Sequence, residues 1–310
     1  MNIKTLNFKL RALDLFEDDR IDKALEMIDI ALASSQCLED RVDVLFEKAL
    51  MLDQIEDNVG ALECYKDILE LENSPQAMYG LAMIYEKIHE YDLAEDYYLQ
   101  CIEVDPNYDR AYFFLANLYD VSGLYDKAIE YYQKAITLCP DDNMIYNNLG
   151  AIYENIYQYD KALEYLDKAI ELDKNYFRPY FNKGVVYGKL DNEEKAIENY
   201  LTAIERNPSY SYTYLNMSAL YIEKDKLIES LKILNLGVKN ADDKADLYYN
   251  RACIKMYLNN SQMAMEDLKV ACNLDVNLGA YAKDDVDFSS LREDERFLEI
   301  IGDRNDIFEK

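Results

Sequence analysis

A period of 34 residues constrains this chain more than any other feature: Pro106, Pro140 and Pro208 are separated by 34 and by 68 positions. A repeat of that length means one small unit stacked in tandem, each copy burying its apolar face against the next. Cutting at the period gives segments 75–108, 109–142, 143–176, 177–210, 211–244 and 245–278, and residue types recur at fixed places within them. Position 4 is Met78 and then Tyr112, Tyr146, Tyr180, Tyr214 and Tyr248. Position 8 is small throughout (Ala82, Ala116, Gly150, Gly184, Ser218, Ala252), and position 11 is tyrosine from Tyr85 to Tyr221 until Lys255 breaks the run. Position 20 is alanine or serine, position 24 is Tyr98, Tyr132, Leu166, Tyr200, Leu234 and Leu268, and position 27 is small again.

Spacings of 3, 4 and 7 within each half of the segment trace one apolar face of a helix, so each segment is expected to form two amphipathic helices. Small residues at 8, 20 and 27 let the pair approach closely while the large residues at 4, 11 and 24 fill the space around the contact. The tyrosines at these places are expected in the inter-helix core. Proline after the second helix stops it, and polar pairs such as Ser122-Gly123, Tyr157-Gln158 and Asp191-Asn192 mark the turn between helices.

This pattern resembles the tetratricopeptide repeat family, whose large aromatic, Leu-Gly, Tyr, Ala, Phe, Ala and Pro stand at positions 4, 7 and 8, 11, 20, 24, 27 and 32. The chain departs from it in having no tryptophan, with tyrosine standing in at position 4. Two divergent copies, 5–41 (Phe8, Ala12, Leu15, Ala24, Ile28, Ala31) and 42–74 (Leu45, Ala49, Leu52, Ala61, Tyr65), precede the six clear ones. Residues 279–310, with Phe288, Leu291, Phe297, Leu298, Ile300 and Ile301 among charges, look like the closing segment of many bacterial members. A stack of repeats needs such a segment to cover its last apolar face. The expected fold is all-α: a right-handed α-solenoid of tandem helix-turn-helix repeats with a C-terminal helical cap.

Composition narrows the chemistry. With 33 Lys+Arg against 61 Asp+Glu the net charge is −28, which repels phosphate backbones and anionic lipid, so neither nucleic acid nor membrane insertion is expected. No run of about 18 apolar residues suggests a membrane span, and nothing at the N-terminus reads as a signal peptide, which points to a cytoplasmic protein. Six scattered cysteines and one histidine give no metal-ligand spacing, and the cysteines read as buried reduced thiols. With no GxSxG, no phosphate loop and no nucleophile beside a base, no enzyme, cofactor or metal is expected. Glu130, Glu164, Asp167 and Glu198 among Lys127, Lys161, Lys168 and Lys195 have the spacing of ion pairs on helix surfaces.

The resemblance implies that binding lies on a concave groove lined by the first helix of each repeat, at positions 2, 5, 6, 9, 12 and 13. Position 6 carries Asn148, Asn182, Asn216 and Asn250 in four consecutive repeats. A carboxamide both donates and accepts, so such a ladder can pair with the backbone of an extended peptide; the same residues can instead hold local helix contacts. Phe113, Phe181, Tyr212 and Tyr249, at positions 2 and 5, offer aromatic area to peptide side chains, or to the core. Chaperone-binding members of the family grip a C-terminal carboxylate with five residues, and here the matching places hold Phe113, Asn117, Asn148, Arg178 and Asn182. Three agree in type, while the missing bases at 113 and 182 remove charge that such a clamp relies on. The expected function is a scaffold or adaptor holding a basic or neutral segment of a partner protein. A self-assembling solenoid or a peptide-sensing regulator are the alternatives, and the sequence specifies no oligomeric state.

Overall fold

The computed structural model describes residues 2–302, and the expected cap beyond residue 302 lies outside them. Among the described residues sixteen α-helices form eight hairpins. They are α1 (Ile3–Glu17) with α2 (Ile21–Ser34), α3 (Leu38–Gln54) with α4 (Asn58–Leu71), α5 (Pro75–Lys87) with α6 (Tyr91–Val104), and α7 (Asp109–Val121) with α8 (Tyr125–Leu138). Then follow α9 (Asn143–Asn155) with α10 (Tyr159–Leu172), α11 (Phe177–Lys189) with α12 (Glu193–Arg206), α13 (Ser211–Glu223) with α14 (Leu227–Asn240), and α15 (Ala245–Tyr257) with α16 (Ser261–Leu274). A short α17 (Asn277–Asp284), a 3-10 turn (Val286–Leu291) and α18 (Glu295–Ile300) close the chain.

The second helices show how few residues hold a hairpin together. In α8 the buried residues are Ala128, Tyr132 and Ala135, and in α10 they are Ala162, Leu166 and Ala169. These are positions 20, 24 and 27, a single narrow stripe with a large side chain between two small ones. Several first helices bury more, because they meet helices on two sides: α7 buries Ala111, Tyr112, Leu115, Ala116, Leu118 and Tyr119, whereas α11 buries only Pro179, Gly184 and Val186. The expected tyrosine core is graded accordingly. Tyr98, Tyr132, Tyr200 and Tyr214 are buried, whereas Tyr146, Tyr180, Tyr187, Tyr221 and Tyr248 are half-buried.

Each hairpin turns by one device. The residue two places before the second helix has positive φ, and these residues are Asp19, Glu56, His89, Gly123, Tyr157, Asp191, Asp225 and Asn259. The next N–H then reaches back to a carbonyl five residues earlier, as in Leu124 to Tyr119 (2.8 Å), Gln158 to Tyr153 (2.8 Å) and Asn260 to Lys255 (2.8 Å). This closes the orphan carbonyls at the end of the first helix.

The chain divides into two compact units, Met1–Asp141 and Asp142–Lys310, at the junction between hairpins. In the first, α3 runs for 17 residues where later first helices have 13, and it starts at Leu38, ahead of the boundary expected at 42. Cys37 caps it, its Sγ accepting the Asp40 N–H at 3.4 Å, and so Cys37 is exposed rather than buried with Cys64 and Cys101. In the second unit Phe288, Leu291 and Phe297 are buried in one cluster with Ala252, Met265 and Leu268 of the last hairpin. Lys255 is buried there as well, its Nζ 2.5 Å from Asp267, whose carboxylate also accepts both Arg251 Nε (2.7 Å) and Nη2 (2.6 Å).

Candidate functional site

Two of the expected groove residues belong to the first unit. Phe113 is half-buried and lies edge-on to Phe114 (5.2 Å) and to Tyr132 (5.9 Å). The Asn117 carboxamide oxygen accepts the Tyr132 hydroxyl, so this amide braces the buried tyrosine of its own hairpin. One repeat earlier the place of Asn117 is held by Met83, whose sulfur lies 3.2 Å from the hydroxyl of the fully buried Tyr98, and that hydroxyl donates at 2.8 Å to Glu86. Glu86 is a residue that the asparagine and aromatic patterns do not single out. Burial pushes its carboxyl up while the Tyr98 hydrogen bond pulls it back, and burial alone raises Asp120. A cavity of about 500 Å³ opens beside Glu86, Met83 and Val121, with Lys87 held by Asp53 at 3.0 Å on its wall.

The other eight lie in the second unit, where the position-6 asparagines are not equivalent. Asn182 Nδ2 donates at 2.9 Å to Asn147 Oδ1 of the preceding repeat, and Asn147 Nδ2 donates in turn to Asn148 Oδ1 at 3.2 Å. Asn216 and Asn250 instead donate to their own helix, at the Tyr212 and Asp246 carbonyls, each at 2.9 Å. The amide thus links two repeats at one place and caps a local turn at two others. Each of the last three spends one side-chain donor on these contacts.

Arg178 organises the aromatic residues around it. Its guanidinium lies 5.7 Å from the centres of both the Phe177 and Tyr210 rings. Tyr210 packs edge-on against Phe181 (5.4 Å) and tilted against Tyr212 (5.4 Å), and Phe181 leans on Tyr200 (6.1 Å). Arg178 is exposed and makes no ion pair among the described residues. By contrast Lys183 of the same helix is paired with Asp167 at 2.5 Å. The lysines at position 19 lie against rings, Lys127, Lys161 and Lys195 being 4.5, 5.0 and 5.1 Å from the tyrosine rings at position 11 of their own repeats, and Lys127 also pairs with Glu95 at 3.5 Å.

Tyr249 is placed differently from the other aromatics. It is 8% exposed, its hydroxyl donates to Asp285 at 2.6 Å, and its ring meets Phe288 at 5.7 Å, so it is held against the cap. Cys253, Asp285 and Asp287 beside it bring one potential ligand atom each within 4.8 Å of one another.

Comparison with known proteins fixes the family. Tetratricopeptide repeat models match residues 75–108, 109–142, 131–164, 158–191, 177–210 and 245–275, together more than half of the chain. The chain belongs to the tetratricopeptide repeat family. No curated protein sequence matches it. A tetratricopeptide repeat protein from Parabacteroides merdae ATCC 43184 superposes with a TM-score of 0.63 at 18% identity, over 84% of this chain and 98% of that one. Pseudomonas aeruginosa pilF gives 0.54 at 19% identity, over 65% and 91%. The Cut9–Hcn1 hetero-tetramer of the APC/C gives 0.57 at 17% identity, over 93% of this chain and 62% of that chain. At these identities the likeness is one of fold, the tetratricopeptide α-solenoid. The repeat is a protein-interaction module, and no helix among the described residues is long and apolar enough to cross a membrane.

Proposed function

We propose that the chain is a scaffold that holds an extended segment of a partner protein on the first-helix face of the repeats in residues 143–244. The observation that carries this reading is Arg178. In a chain of net charge −28 it is an exposed cation with no carboxylate partner among the described residues, seated on an aromatic cluster, with Asn182 on the same helix face. A guanidinium fixed in this way presents its donor edge to a carboxylate or a peptide carbonyl, and Phe181 and Tyr212 supply apolar area that costs little rotamer entropy to order. The carbonyl oxygens of Asn182 and Asn216 add acceptors for a peptide N–H.

The test is affinity capture from native lysate with the wild-type chain beside two variants. Arg178→Ala removes the cation and breaks no ion pair among the described residues. Asn148→Ala with Arg178→Ala and Asn182→Ala removes the amide link as well, and circular dichroism checks that helicity is kept. The expected result is a partner retained by the wild-type chain, weakened by the single variant and lost by the triple one. Equal retention by all three places the binding elsewhere.

A further inference from the structure

A cavity of about 450 Å³ lies between α13, the last hairpin and the cap, and its wall is built of carboxylates, tyrosines and aliphatic side chains. Three carboxylates line it, Asp246, Asp285 and Asp287, and no lysine, arginine or histidine does. In the cavity beside Glu86 the wall carries its own cation, Lys87, and in the one near Cys64 it carries Lys48, paired with Asp29 at 2.7 Å. Here the negative charge is uncompensated. Partial desolvation, with Asp243 and Asp275 beside it outside the cavity, pushes the Asp246 carboxyl up.

The remaining wall is aromatic. Tyr249 donates to Asp285 at 2.6 Å and Tyr257 to Asp287 at 2.8 Å, which turns both phenols toward the carboxylates and fixes the rings. Tyr281, 73% exposed, stands at 84° to Tyr249 with ring centres 6.4 Å apart. A ring face attracts a cation through its quadrupole, and carboxylates beyond it add Coulomb attraction. Three tyrosines with three unneutralised carboxylates form a receptor for an organic cation with an apolar stem.

We infer that this pocket takes a lysine or arginine side chain of a partner protein, its methylenes on the tyrosine rings and its charged end among Asp246, Asp285 and Asp287. Charge complementarity is what selects this occupant. The inference rests on the reading of the chain as a protein-binding scaffold, and it names one anchor of the partner. Short probes keep its test separate, because an acetylated, amidated tripeptide reaches this pocket without spanning the face around Arg178.

Protein with labelled isoleucine methyls is titrated with alanine tripeptides whose central residue is arginine, lysine or norleucine, and shifts are read at Ile222 and Ile254, which line the pocket. The arginine and lysine probes should give saturable shifts, with norleucine weaker by about tenfold or more. Asp246→Asn changes an exposed carboxylate that accepts no hydrogen bond among the described residues, so the fold is kept and the arginine probe should weaken about threefold or more. Adding Asp287→Asn should abolish saturation, and Glu130→Gln, in the other unit, should change nothing. Equal binding of arginine and norleucine overturns the inference, as does a wild-type response from the Asp246→Asn chain. So does a third outcome: if the tripeptides give no shift while ZnCl2 saturates at one equivalent and Cys253→Ser abolishes it, the occupant is a metal ion.

Discussion

Lys255 interrupts the run of tyrosines at position 11, and the reason lies in a partner twelve residues away. Asp267 holds Lys255 and Arg251 together, and the three side chains are 9%, 7% and 14% exposed for Lys255, Asp267 and Arg251. Removing the anion strands the buried Lys255 and the half-buried Arg251, so Asp267→Asn should destabilise the chain by about 3 kcal/mol, read from the urea midpoint. A loss below ~1 kcal/mol would mean that water already solvates the pair. Gly80 illustrates a similar dependence on a distant neighbour, since a Cβ there would lie 2.5 Å from the Tyr65 ring. Gly80→Ala should therefore cost about 1–3 kcal/mol by overpacking a buried tyrosine. Both residues look irregular in the repeat pattern because what fixes them is a contact across helices. The candidate site suffers from the same limit of local pattern. The residue types at Asn117, Asn182 and Tyr249 suggest a surface, but their bonds to Tyr132, Asn147 and Asp285 follow from packing that spacing alone does not carry.

At the scale of the element, the eight hairpins were legible because small and large side chains alternate at fixed places, and each place has one packing role. The first two pairs were harder to bound, since α3 is a turn longer than its counterparts and slides the register of the copy it begins. The turns show a conflict between local preference and architecture. Position 15 of every clear repeat needs a left-handed backbone, yet Gly123 alone among those six is glycine. Tyr157, at φ 61° and 76% exposed, gains no core contact in return for the strain. Tyr157→Gly should raise stability by about 0.5–1 kcal/mol, and Gly123→Ala should lower it by about 1 kcal/mol, both measured by chemical denaturation. If the tyrosine variant is less stable, its ring contact with Tyr159 at 6.3 Å outweighs the backbone term.

For the whole molecule, charge dominates. A net charge of −28 favours expansion, so added sodium chloride should raise the melting temperature of the chain, the opposite of what a fold built on surface ion pairs would show. Protons act in the same direction at particular sites. Burial raises Glu86, Asp120 and Glu154, so each binds its proton more tightly in the folded chain than in the unfolded one. A carboxyl raised on folding withdraws stability as pH climbs from its ordinary value, 4.5 for Glu86, through its folded value. Glu86→Gln keeps an acceptor for Tyr98 and removes the titration, so its advantage in urea midpoint over the wild-type chain should grow between pH 4.5 and pH 7. A difference that stays constant with pH would remove burial as the cause. Finally, the thiols turn the molecule into its own stopwatch. Burial holds Cys64 up at about 11 and Cys101 at about 12, and raises Cys253 as well, while Cys37 stands in the open. Iodoacetamide should mark Cys37 at once and the other three only as fast as the surrounding helices part, so peptide-resolved alkylation would time the breathing of the helices around Cys64 and Cys101 and of those around Cys253 separately, with no label engineered into either unit.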